Sequence, residues 1–111
     1  MKAILNEEDV YFFLTEIERN FPNFVAGVIT DNHGFPIASK IPINFHFNET
    51  ELALSAISDE RDFINDSRFV KVIRNLDEKN SIKLFFLLLK RNGYVNRFRK
   101  LKEIIERQNL F

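Results

Sequence analysis

Four residues, Asp31-Asn32-His33-Gly34, constrain this chain more than any others, because they are turn chemistry set between two runs that are rich in strand formers. The run before them, Phe24-Val25-Ala26-Gly27-Val28-Ile29-Thr30, is almost continuously apolar, which predicts a central strand covered on both faces with a strand on each side. Gly34 stands where a hairpin loop of this length requires a positive φ, and a second strand, residues 35–41, follows it. Pro36 removes a ladder donor near the start of that strand and Pro42 closes it, so its first residues belong at a sheet margin.

The flanking segments change period. Asn6 is a good N-cap, Glu7, Glu8 and Asp9 suit the positive end of a helix dipole, and Val10, Phe13, Leu14, Ile17 and Phe21 form one apolar stripe; residues 7–20 are predicted as an amphipathic helix ended by Phe21-Pro22. Residues 43–47, Ile-Asn-Phe-His-Phe, are too short to show a period and are read as a packed loop. Asn48 with Glu51 three residues on is a variant of the capping box, so a second helix begins near residue 49, its end falling as late as Phe63 or Ile64. Leu52, Ala53, Leu54, Ala56 and Ile57 give this helix a face made partly of small residues, which lets another backbone approach closely. Residues 68–74 and 81–90 flank the polar turn Asp77-Glu78-Lys79-Asn80 and predict a second hairpin. Tyr94, Phe98, Leu101 and Ile105 recur at helical spacing and predict a third helix.

The expected fold is therefore a single layered α/β (α+β) domain over residues 1–111, with a mostly antiparallel sheet of four to five strands and helices on both faces. A chain of 111 residues that is 45% apolar, with 13 Phe, has enough material for one core and none for a second. The absence of Cys excludes disulfides and thiolate chemistry and fits a reducing compartment, and the start shows no secretory pattern, so a cytoplasmic location is expected. The longest apolar run, residues 84–89, is far too short to span a bilayer and reads as a buried strand.

Formal charge sums to zero, so no global field attracts nucleic acid or an anionic membrane. Locally, Lys90, Arg91, Arg97, Arg99, Lys100, Lys102 and Arg107 outnumber Glu103 and Glu106; the main reading is the solvated face of a core-packing helix, with a charged partner, an acidic lipid surface or nucleic acid as lesser readings. His33 and His46 lack the spacing of a metal pair, Asp31, Asn32 and Gly34 lack the remaining ligands of a calcium loop, and Ser39 has no nucleophile elbow around it. No G-x-x-x-x-G-K-[ST] loop is present for phosphates. The chain is expected to be non-enzymatic, without catalytic residue, cofactor or metal.

Residues 24–39 form an apolar strand, an acidic-polar turn ending in Gly34, and a short strand ending in Ser39, and Glu51-Leu52-Ala53-Leu54-Ser55-Ala56-Ile57 starts a helix with alanines. In these features and in element order the chain resembles the roadblock family of dynein-light-chain type. The family usually has five strands, whereas only two runs follow the central helix here. The resemblance implies a homodimer, or a heterodimer with a second roadblock protein, in which central helices pair antiparallel and edge strands join into one sheet. It also implies an adaptor or regulator of a Ras-like small GTPase. On that basis Ala53, Ala56, Ile57, Val70 and Val72 are expected at the subunit interface, with 68–74 as the joining strand, while Glu51, Ser55, Asp59 and Asp62 on the exposed side of the central helix are expected to meet the partner. The alternatives are a longin-like trafficking domain, which usually begins with a strand rather than a helix, or nucleic-acid or anionic-membrane binding through the basic C-terminal helix.

Overall fold

A computed structural model describes residues 6–57, 67–77, 79, 81–90, 98–108 and 110. Its elements are α1 (Glu7–Arg19), β1 (Phe24–Asp31), β2 (Pro36–Lys40), α2 (Glu49–Ile57), β3 (Phe69–Asn75), β4 (Ile82–Leu89) and α3 (Phe98–Arg107). The strands form one antiparallel sheet in the order β2-β1-β4-β3, so the expected α+β layout holds with four strands among the described residues. No helix among them is long and apolar enough to cross a membrane.

Local chemistry accounts for the boundaries. Asn6 Oδ1 accepts the Glu8 amide at 2.9 Å, the expected cap, and α1 ends at Arg19, one residue short of the reading from period alone. At the first hairpin, Asp31 Oδ1 accepts the amides of His33 (2.9 Å) and Phe35 (3.0 Å), and Gly34 takes φ 86°, a conformation that a side chain disfavours. Asp77 plays the same part between β3 and β4, accepting the amides of Ser81 and Ile82 at 2.8 and 3.1 Å. The Asn48 side chain accepts the Glu51 amide at 2.9 Å while Glu51 Oε1 accepts the Asn48 amide at 3.0 Å, a reciprocal capping box that fixes the start of α2. The described part of α2 stops at Ile57, so its expected continuation to residue 63 or 64 lies outside the described residues, as does Tyr94.

The sheet separates two apolar layers. On one face Val10, Phe13, Leu14 and Ile17 of α1 and Leu101 and Ile104 of α3 pack on Ile29, Val72, Leu84, Phe86 and Leu88. On the other, Leu52, Ala53 and Ala56 of α2 pack on Ala26, Val28, Phe85 and Leu87, with Phe45 and Phe47 of the connector tucked beside them. Because β1 and β4 lie in the middle and are covered from both sides, their residues are apolar in both alternations. Gly27 sits where an added Cβ would come within 2.9 Å of the Phe24 ring and 3.0 Å of Phe86 Cβ, so the stacked pair Phe24 and Phe86 occupies the space a side chain would need.

Candidate protein-interaction edge

The two outer strands differ in how they treat their open sides. β2 is short, starts at Pro36 and pairs with β1 through an irregularity at Ile29/Thr30. Its last residue, Lys40, is tied to α1: Nζ lies 3.1 Å from Glu18 Oε1, donates to Thr15 Oγ1 at 3.2 Å and stands 4.8 Å over the Tyr11 ring. Burial pulls the Lys40 ammonium down, but its bonds to Glu18 and Tyr11 outweigh that and hold its pKa above the ordinary lysine value. A proline, an irregular register and a clamped lysine are devices that blunt a sheet edge.

β3 has none of the backbone devices. Its seven residues pair with β4 in one unbroken register, Phe69 with Leu89 through Asn75 with Lys83. That register also settles which backbone groups face outward. The Lys90 amide donates to Arg68 O at 2.9 Å and the Leu76 amide to Ile82 O at 2.9 Å, so Arg68 and Leu76 form hydrogen-bonded pairs across to β4. Such pairs alternate along an antiparallel ladder, so Val70, Val72 and Arg74 also turn their amides and carbonyls to β4. Phe69, Lys71, Ile73 and Asn75 therefore turn theirs to the outer edge. The Leu89 amide, which donates to Asn23 O on the β1 side, fits the same alternation.

Side chains follow the complementary alternation. Val70, Val72 and Arg74 lie on the α1/α3 face, whereas Phe69, Lys71, Ile73 and Asn75 lie on the α2 face. α2 rests over β1, β4 and β2, leaving Ile73 42% exposed on the outer strand although its neighbour Phe85 is fully buried. On the opposite face, Phe98 and Ile105 sit on the flank of α3 that is turned to β3. With Arg74, Lys102 and Glu106 they line a groove of about 370 Å³ along the strand. Arg74 joins groove and edge: its guanidinium lies 5.6 Å from the Phe98 ring centroid, and Nη1 donates to the outward carbonyl of Ile73 at 2.8 Å.

The expected interface and partner residues are redistributed by this geometry. Ala53 is completely buried and Ala56 is 5% exposed, both against the chain's own sheet. The small-residue face of α2 thus allows close approach to β1 and β4 rather than to a second subunit. Val72 is buried and Val70 half-buried in the α1/α3 layer, and both lie on β3, an outer strand among the described residues, while Ile57 is half-buried. Ser55 is not on the exposed side of α2; it is buried and its hydroxyl donates to Glu51 O at 2.8 Å. Glu51 is half-buried, with its carboxylate engaged in the cap. Asp59 and Asp62 lie outside the described residues. The outer side of α2 instead carries Thr50, Leu54 and Ile57, and an added Cβ at Gly34 would come 3.1 Å from both Leu54 and Ile57, so the first hairpin packs against this side of the helix. His33 and His46 are exposed, and no cluster of three or more His, Cys, Asp or Glu suited to a metal occurs among the described residues.

No protein-family model, curated protein or solved structure matches the chain.

Proposed function

We propose that this protein is a non-enzymatic scaffold that takes up a strand of a second chain along β3 and so builds a two-chain platform for a Ras-like small GTPase. The second chain is another copy or a second protein of the same architecture. The observation that carries the reading is the β3 edge: an unbroken strand whose outward backbone groups at Phe69, Lys71, Ile73 and Asn75 stand beside an exposed isoleucine and an apolar groove. Strand addition supplies main-chain hydrogen bonds along such an edge, and pockets on either face supply selectivity. A strand with no outer neighbour among the described residues is an aggregation hazard, which pairing removes.

The GTPase as partner class comes from the resemblance of residues 24–39 and 51–57 to roadblock proteins. Of the residues on the outer side of α2, Thr50 is exposed, whereas Leu54 and Ile57 are half-buried against the first hairpin. Nucleic-acid or anionic-membrane binding through α3 is disfavoured by pairing along that helix: Lys100 with Glu103, Lys102 with Glu106 and Arg107 with Glu16 stand within 3.9 to 4.0 Å of one another. A longin-like role is disfavoured by α1, which precedes the first strand.

Affinity capture from native lysate with the wild-type chain and with Ile73→Pro tests the reading, because Pro at Ile73 removes one outward N–H. The expected result is a companion chain and a small GTPase retained by the wild type and both lost from the variant. Retention of the same proteins by a folded Ile73→Pro chain contradicts assembly through β3.

A further inference from the structure

We infer that copies of this chain also join head to tail, with the exposed Phe12 of α1 in one copy seated in the groove between α3 and β3 of the next. The contact is made by side chains of the helical layer and is separate from strand addition along the β3 backbone.

The knob comes from α1. Val10, Phe13, Leu14 and Ile17 complete the stripe that this helix buries against the sheet, and Phe12 stands outside it, 59% exposed. Lys40 stands 4.8 Å over the neighbouring Tyr11 ring, and Tyr11 meets Phe12 edge-on with ring centroids 6.4 Å apart, so Phe12 is braced on an anchored neighbour. Helical spacing puts Glu8 and Asp9 one turn before Phe12 and Glu16 one turn after it, so the exposed ring is bordered by carboxylates at both ends. From Glu7 to Arg19, five acids stand against one base.

The groove supplies the seat. Phe98 and Ile105 give it apolar walls, and its volume of about 370 Å³ is ample for one aromatic ring. Arg74 and Lys102 add cations to the lining, and Arg99, also exposed, lies three residues before Lys102 on the same stripe of α3. Glu106 is the one acid of the lining; it stands 3.9 Å from Lys102, and a pair between two such exposed groups is weak. From Phe98 to Arg107, four bases stand against two acids.

Charge decides which of these surfaces meet. Pairing α1 with a copy's α1 brings acids of both helices together, and pairing α3 with α3 brings cations together. Laying α1 on α3 sets Glu8 and Asp9 beside Arg99 and Lys102 and buries Phe12 between Phe98 and Ile105, an aromatic anchor within a complementary charged rim. Each end of such a pair keeps one knob or one groove unused, so the contact is heterologous and adds further copies.

Sedimentation velocity of the intact chain over a rising concentration series reads the assembly. The average mass of the wild type should climb beyond that of a dimer, and added salt should lower it. Phe12→Ser, an exposed change that leaves the buried stripe of α1 intact, should weaken association by about tenfold or more. Glu8→Lys with Asp9→Lys, and Arg99→Glu with Lys102→Glu, should do the same, each double variant being checked for a native circular dichroism spectrum. Mixing these two charge-reversed chains should restore association, because each then meets a complementary surface. Ile73→Pro leaves both helical surfaces in place and should still assemble head to tail. A wild type that stays monomeric or stops at a dimer overturns the inference, as does association that Phe12→Ser leaves unchanged, or reversed chains that stay apart when mixed. Association lost in Ile73→Pro but kept in Phe12→Ser overturns it while leaving strand addition at β3 standing. The opposite pattern, lost in Phe12→Ser and kept in Ile73→Pro, supports head-to-tail joining independently of β3.

Discussion

Proline placed at two adjacent positions of β3 should have very different effects on the isolated chain. Val72 directs its amide to Phe86, and both residues are buried, with Phe86 at 0% exposure. Val72→Pro removes a ladder bond with a net value of about 1 kcal/mol and leaves the buried Phe86 carbonyl without its donor, which costs about a further 2 kcal/mol. Ile73 directs its amide outward, so Ile73→Pro gives up only a group facing the open edge. Ring strain is common to both variants and cancels in the comparison. The expected difference is about 3 kcal/mol in unfolding free energy, a large share of the ~5–15 kcal/mol typical of a small domain. In urea titrations followed by circular dichroism, a slope near ~1.5 kcal/mol/M turns that into a gap of about 2 M between the two midpoints. Equal midpoints, or a lower midpoint for Ile73→Pro, would refute the assignment of amide directions and with it the outward amide of Ile73.

Ala56→Arg should unfold or strongly destabilise the chain, by about 3 kcal/mol or more, because Ala56 is pressed against the sheet and a guanidinium there is both too large and deprived of water; a native melting curve in circular dichroism would return the small-residue face of α2 to the list of possible subunit contacts. The Lys40 anchor should show as alkaline sensitivity. Its folded pKa lies above the ordinary 10.5, so the contribution is complete below that pH and declines as pH rises through the folded value. Thermal melts of the wild type and Lys40→Met should therefore converge as pH rises above 10.5, by at most about 1 kcal/mol, since the pair is partly open to solvent; a gap that stays constant as pH rises past that value would contradict the assignment.

The elements were legible wherever one local signal decided them. Asn6, Gly34 and the Asn48/Glu51 box each act on backbone groups within a few residues, and the stripe Val10, Phe13, Leu14, Ile17 has only one helical reading. The continuous apolarity of 24–30 likewise pointed to a strand enclosed by neighbours, which β2 and β4 are. What a face packs against is a different matter. Ala53 and Ala56 permit close approach of any backbone, and the sequence does not distinguish the chain's own sheet from another subunit. Ser55 and Glu51 look like surface residues because their polarity is visible, while the bonds that occupy them, to the Glu51 carbonyl and the Asn48 amide, depend on helix geometry. The groove at β3 unites Arg74 with Phe98 and Ile105 from a helix remote in sequence, so period alone gave their elements and not their meeting. Alternation in 69–75 separates two faces but carries no information on which amides point to β4; that required the register.

Hydrogen exchange of the β3 amides tests the central claim most directly, measured in the free chain and in its complex with the companion it captures. The account predicts that Val70, Val72 and Arg74 are protected in both states, and that Ile73 exchanges rapidly in the free chain and becomes protected on assembly. Rapid exchange at Ile73 in the assembled complex would contradict it, because no strand would then have joined the sheet at β3.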